Sequence, residues 1–381
     1  MKIVIAPQAF KGSLSALNVA TAVQKGVRRI FPDAQILTCP VADGGDGTLE
    51  TLVESSGGKI METNVEDPTG KPIVAQWGAM GDGNTAVIEM ARTSGLALLT
   101  LEERDPLNAT TYGLGEIIVS ALNKGFRKFI VGIGGSATND AGAGMAQALG
   151  IKLMDREGRN LVFGGAALQN LSVIDTSSID QRVLESNFQI ACDVNNPLTG
   201  PEGASAVYGP QKGATEENVR QLDSALGVFA EVAKRDLGKD ISNLEGAGAA
   251  GGLGAGMIAF VEGHLRAGVD IVLDTVNLAE KLESADLVIT GEGSIDFQTV
   301  YNKAPIGVAR MAKARGIPTI GISGMLGKNY QIVHNHGIDA ALSIANGPIS
   351  LEESLQNAPS LISEAVEESL RLISVGMKLR N

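Results

Sequence analysis

Three glycine-bearing stretches of this chain gather carboxylates, hydroxyls and amides at spacings suited to a small anionic substrate. The first is Val41-Ala42-Asp43-Gly44-Gly45-Asp46-Gly47-Thr48, at the end of the apolar run Ile36–Cys39. Carboxylates three residues apart suit a magnesium ion, which takes one or two protein carboxylates and completes its shell with water and phosphate oxygens. Asp43 and Asp46 are therefore the metal candidates, against the plainer reading of an Asp-capped turn before a helix. The second stretch sets Gly134, Gly135, Ser136, Thr138, Asn139 and Asp140 between the β-branched run at Phe129–Val131 and a helix start beyond Asp140. Glycine lets backbone N–H groups approach an anion closely, and a helix start offers unpaired N–H groups and a favourable dipole. This reads as a cradle for a phosphate or a carboxylate, with a tight turn that binds nothing as the alternative.

The third stretch, Gly246 to Gly256, contains a literal G-x-G-x-x-G at Gly246, Gly248 and Gly251, followed by Gly252. A dinucleotide fingerprint requires a buried strand before it, and Asp240–Glu245 is too polar to be one. A nicotinamide-dependent oxidoreductase of a small hydroxy acid is thus the alternative reading. A phosphate cradle or close helix packing accounts for these glycines better. Two acidic loops follow apolar runs: Cys192-Asp193-Val194 and Gly291-Glu292-Gly293-Ser294-Ile295-Asp296. Phosphoryl transfer to an alcohol needs a group for the hydroxyl proton and positive or N–H donors for the transferred group. Asp193 and Asp296 are candidates for the hydroxyl. Lys11, Lys212 and Lys303, in loops bearing glycine or proline, are candidates for the anions. No Gly-Lys pair continues into Ser or Thr as a Walker A loop requires. His264 falls in a helical pattern, His334 and His336 share a helix end, and no zinc spacing is present.

The elements that must hold these loops follow from hydrophobic rhythm. Lys2–Ala6, a helix from about Leu14, Ile36–Cys39 and a helix from about Leu49 alternate as in a parallel sheet. After Lys59 the pattern becomes an antiparallel meander, with turns at Asp67–Gly70 and Gly81–Asn84. A hairpin is expected at Ile151–Met154, turning at Asp155–Gly158. Strand and helix alternate again from Asp286, and a last helix from Ser350 to Met377 should break near Pro359. The expected architecture is α/β with two domains. Residues 1–62 and 250–381 form a doubly wound parallel-sheet (Rossmann/flavodoxin-like) domain, residues 63–249 an inserted mixed α/β domain, and the cleft between them is the natural site.

Composition sets the outer limits. A net charge of −12 disfavours nucleic acid and anionic membrane surfaces, and 4% aromatics leave few stacking platforms for single strands. Glycine, at 48 of 381 residues, is about 13% against a usual 7%. Close backbone approach to a ligand is one reason for that excess. Two cysteines make neither a disulfide framework nor a zinc ribbon, and fit a reducing, cytoplasmic compartment.

Taken together, Met1–Pro7 with Phe10-Lys11, the Asp43 loop, Gly132–Asp140, Cys192-Asp193-Val194, Gly209-Pro210-Gln211-Lys212-Gly213, Gly246–Gly252 and Ile289–Gly293 resemble the bacterial class I glycerate kinases. The resemblance covers nearly the whole chain, in order. It implies two α/β domains, ATP and Mg2+ as cofactors, D-glycerate as acceptor, and 2-phosphoglycerate favoured over 3-phosphoglycerate. It also implies a monomer or homodimer with neither nucleic acid nor membrane as partner. One departure stands out: Gln8 and Ala9 occupy places where the family commonly has an acidic residue and a serine. A milder one is Asp46, where glutamate is frequent.

Overall fold

A computed structural model describes residues 1–45 and 47–380. The first segment supplies β1 (Lys2–Pro7) and β2 (Gln35–Thr38). The middle supplies β3 (Lys59–Glu66), β4 (Pro72–Ala79), β5 (Thr85–Glu89), β6 (Lys128–Gly132), β7 (Lys152–Met154), β8 (Val173–Asp175), β9 (Asn187–Ala191) and β10 (His264–Arg266). The last returns with β11 (Leu287–Ile295), β12 (Thr319–Leu326) and β13 (Ala340–Ser343). The chain divides into two compact units, one of Met1–Ser56 with Val269–Asn381 and one of Gly57–Gly268.

In the first unit five parallel strands run in the order β13-β12-β11-β1-β2. β1 is β-branched and buried almost throughout, as a central strand covered on both faces must be. The strand order reverses between β1 and β11, and ligands of open parallel sheets bind at the carboxyl ends of the strands flanking such a switch point. The helix Ala16–Ile30 begins where Ser15 accepts the Asn18 N–H at 3.3 Å. It buries Val19, Val23 and Val27 in one core with Ile3, Ile5, Ile289 and Ile362.

The final helix, Leu351–Arg380, runs on through Pro359, correcting the expected break. A mid-helix proline orphans the carbonyl four residues earlier. Here that carbonyl, on Leu355, accepts the Ser13 hydroxyl at 2.9 Å.

The second unit carries a six-stranded sheet, β10-β9-β6-β5-β4-β3. The first four strands are parallel, and β5, β4 and β3 form the expected meander. Its core gathers Trp77, Phe129, Phe188 and Phe229, and the Trp77 indole donates to Thr63 Oγ1 at 3.0 Å.

Two expectations are corrected here. The unit boundaries fall at 56/57 and 268/269 rather than 62/63 and 249/250. β3 pairs with β4 from Lys59 onward, and the helix Ala249–Val261 and β10 pack within the second unit. The hairpin turn at Asp155–Gly158 forms as expected, with Met154 bridging Asn160 and the Leu161 N–H donating to Leu153 O at 2.7 Å, and β7 also pairs with β8. His264 lies in β10, paired in register with Gln189, rather than in a helix. Among the described residues, no helix is long and apolar enough to cross a membrane.

Candidate active site

At the switch point of the first unit, the loop after β1 and the end of β11 are joined by the Gln8 N–H donating to Gly291 O at 2.8 Å. The loop after β2 is tied on by the Val41 N–H to Pro7 O at 3.0 Å, which brings Asp43 to the same place. The Asp43 carboxylate accepts the Lys303 ammonium at 2.9 Å, the Gly45 N–H at 3.3 Å and the Gln8 amide. Burial works against its charge, yet these donors together hold it below the usual carboxylate range. Gln8 Oε1 is left buried with no partner in the chain. Lys303 is the N-cap residue of the helix Ala304–Lys313.

Glu292, on β11, is the opposite case. Burial pushes its carboxyl up to about 7. The Thr299 hydroxyl, donating at 2.9 Å, and Lys303 resist, while Asp43 and Asp296 add like charge. Asp296 is less free than its sequence suggests. It caps the short turn Phe297–Val300, accepting the Gln298 N–H at 2.7 Å while its own N–H goes to Thr299 Oγ1. Lys11 lies exposed in a turn whose backbone approaches Gly293. Asp46 lies outside the described residues.

Oxygen donors fit a magnesium ion here. Asp43 is an ionised carboxylate and Gln8 Oε1 an acceptor without a donor, and a hard cation takes such oxygens. Among the described residues no group of three His, Cys, Asp or Glu could hold a metal.

In the second unit the turn after β6 departs from the sequence reading. The N–H groups at the start of the helix Ala143–Ala148 are taken within the chain, by Asp140 and by the Thr111 hydroxyl, rather than offered to a ligand. Wholly buried, Asp140 accepts from the N–H groups of Gly142 and Gly144, both at 3.1 Å, and from the N–H and hydroxyl of Thr111. It anchors the turn from inside. Thr111 escaped the sequence reading, although a Thr-Thr pair before a helical run is a cap-like signal. Asn139 donates to Ser205 Oγ at 3.0 Å, and Thr138 Oγ1 and Asn139 Oδ1 are buried without partners.

Gly248, Gly251 and Gly252 are packing glycines. A Cβ on Gly251 would lie 2.0 Å from Thr138 O, and one on Gly248 would lie 2.1 Å from Pro197 O. The Gly248 N–H is already bonded to Asn196 O, and Gly251 O accepts the Ala141 N–H. No strand precedes them, which removes the context that a dinucleotide fingerprint requires. What does face outward is Gly134 and Gly135, both exposed.

Lys212 is 1% exposed, and its ammonium donates to Ser136 Oγ and Thr138 O, both at 2.7 Å. Burial pulls it down to about 7, against the nearby Asp140. Asp193 is exposed and accepts the Gly268 N–H at 3.0 Å.

The chain matches the model of the glycerate kinase family over residues 3–374. It is 49% identical over 379 residues to a glycerate kinase of Bacillus subtilis (strain 168), covering 100% of this chain and 98% of that one. To the glycerate 2-kinase of Escherichia coli (strain K12) it is 48% identical over 378 residues, 99% of each chain. A crystal structure from Salmonella typhimurium LT2, described as glycerate kinase 2, superposes with a TM-score of 0.92 at 48% identity, covering 99% of both chains.

Proposed function

The chain belongs to the glycerate kinase family, and from that premise we propose that it transfers the γ-phosphoryl group of ATP to the 2-hydroxyl of D-glycerate, giving 2-phosphoglycerate. The observation that carries the chemistry is the cluster at the β1/β11 switch point. There an ionised Asp43 is paired with Lys303 at 2.9 Å, beside a Glu292 carboxyl held near neutrality. In the transfer the substrate hydroxyl oxygen forms a bond to the γ-phosphorus, the bond to the β-phosphate oxygen breaks, and ADP leaves with that oxygen. The hydroxyl proton goes to Glu292, the group whose affinity for a proton suits the task near neutral pH. Glu292 takes the role for which Asp193 and Asp296 are the sequence candidates, since Asp296 is engaged as a cap and Asp193 by Gly268.

Lys303 and Lys11 supply positive charge to the phosphates. Asp43 and Gln8 Oε1 would hold Mg2+, with Asp46 as the second carboxylate of the sequence motif. Magnesium, when bound there, would supply charge to offset that developing on the transferred phosphoryl group. The turn at Gly134–Ser136, exposed at its two glycines, binds an anionic group of a substrate. Two free thiols support a cytoplasmic enzyme, which we take to be a monomer or homodimer.

The decisive assay is ADP release from ATP, magnesium and D-glycerate, with enolase then added to the product in the absence of a mutase. An enolase signal supports the 2-phosphate. ADP without it moves the phosphate to the 3-position, and no glycerate-dependent ADP overturns the kinase reading.

A further inference from the structure

Lys212 is a wholly buried cation beneath the Gly134–Asp140 turn, and the transfer chemistry above leaves its charge unused. An ammonium only donates, so Ser136 Oγ is the acceptor in their 2.7 Å contact. The hydroxyl proton of Ser136 must therefore point elsewhere, and no described residue receives it.

The backbone leads to the same opening. Gly95 and Ser136 pair as an antiparallel bridge whose bonds come from the flanking residues, Leu96 N–H to Gly135 O and Ala137 N–H to Ser94 O. In such a pair the N–H of Ser136 itself faces away from its partner strand. Among the described residues, nothing accepts the N–H groups of Gly134, Gly135 or Ser136. Gly135 is left-handed at φ +71°, and successive N–H groups around such a residue form an anion-binding concavity. A Cβ built on Gly134 would meet nothing within 4 Å, so the turn is open above. The Asp140 carboxylate is occupied on the inner side and does not oppose an anion there.

We infer that Lys212 is a positioning residue: by holding Ser136 Oγ as an acceptor it turns the hydroxyl proton into the open turn, where that proton joins three backbone N–H groups in binding a substrate oxyanion. The inference rests on the kinase reading, whose substrates offer two such groups, the carboxylate of glycerate and the phosphates of ATP. It also gives the buried charge a pH-dependent role. An unprotonated Lys212 accepts the Ser136 hydroxyl instead, and the fourth donor leaves the turn. Desolvation brings that change close to neutrality, and the facing Asp140 resists it. Arg104 donates through one terminal nitrogen to Gln211 O at 3.0 Å while its Nε is buried without a partner, and a bound anion delays the loss of the proton.

The test uses the full-length protein, with KM for D-glycerate and for ATP measured separately below and above neutral pH. Ser136→Ala should raise one of the two KM values by roughly 10- to 100-fold, the range for a hydrogen bond to a charged group. Its thermal midpoint should stay within a few degrees of wild type. Whichever KM moves identifies the oxyanion as carboxylate or phosphate. The same KM should climb with pH in the wild type and lose that climb in Ser136→Ala. Lys212→Met should reproduce the effect; should it fail to fold, Ser136→Ala alone decides. Both KM values within twofold of wild type, or an unaltered pH dependence, would overturn the inference while leaving the kinase intact. A wild type without glycerate-dependent ADP release counts against the kinase reading instead. Calorimetric titration of ATP and of D-glycerate into wild type and Ser136→Ala then still decides whether the turn is a cradle.

Discussion

Glu292 and Asp43 belong to one cluster yet sit on opposite sides of their ordinary values, which is how a single site separates a proton acceptor from a fixed negative charge. Asp43 has three donors, one of them an ammonium, and stays ionised. Glu292 has one hydroxyl donor and two like charges near it, so burial dominates. Glu292→Gln should lower kcat by roughly 10²–10⁴ and abolish the rise of kcat with pH on the acid side, measured in the ADP-release assay at saturating substrates. The sign of the stability effect is fixed by the same shift. A carboxyl raised from 4.5 to about 7 on folding contributes stability that is complete below its ordinary value and lost as pH rises through 7. Glu292→Gln should therefore flatten the fall in thermal midpoint between mildly acidic and mildly alkaline pH, an effect of at most about 3 kcal/mol. For Asp43→Asn the expected outcome is a much higher magnesium requirement. A magnesium titration matching wild type would take Asp43 out of that role.

At the scale of elements, two glycine-rich stretches that look alike in sequence do different work. Gly134 and Gly135 face outward with free N–H groups. The glycines of the Gly248–Gly256 stretch lie buried, because backbone occupies the space their side chains would need: that of residues 138–142 beside Gly251 and Gly256, Pro197 beside Gly248 and Gly246 beside Gly254. Gly251 is at φ +69° with Thr138 O only 2.0 Å from its would-be Cβ. Gly251→Ala should accordingly cost about 2–5 kcal/mol from backbone strain and overpacking, read as a lower midpoint in urea. Its residual activity should fall further than stability alone explains, because the turn carrying Ser136 moves with it. The final helix shows the complementary lesson. Pro359 marks a break by local rules, and one hydroxyl from Ser13, 342 residues away, satisfies the carbonyl that the proline orphans.

At the scale of the molecule, the two units hold separate cores, one built on Trp77, Phe129 and Phe188, the other on Ile3, Ile5 and Ile289. Residues 57–268 are contiguous and contain every member of the first core. That fragment, expressed alone, should melt in one cooperative transition. A non-cooperative melt, with dye binding typical of a loose core, would refute the independence of its fold.

Rhythm and composition along the chain determined the α/β class, the parallel sheet assembled from both chain ends, the meander in the inserted unit, and the positions of the glycine-bearing loops after the strands. These are legible because they depend on periodicity of neighbours and on turn chemistry, both local properties. Only the tertiary structure decided which loop residues are free. Asp140 and Lys212 are buried anchors, Gly251 is a packing contact, Asp296 is a cap, and Glu292 is the carboxyl near neutrality. The physical reason is that exposure, desolvation and hydrogen-bond partners are set by groups distant in sequence: Lys303 meets Asp43 across 260 residues, and Lys212 meets Ser136 across 76. No local pattern records those pairings.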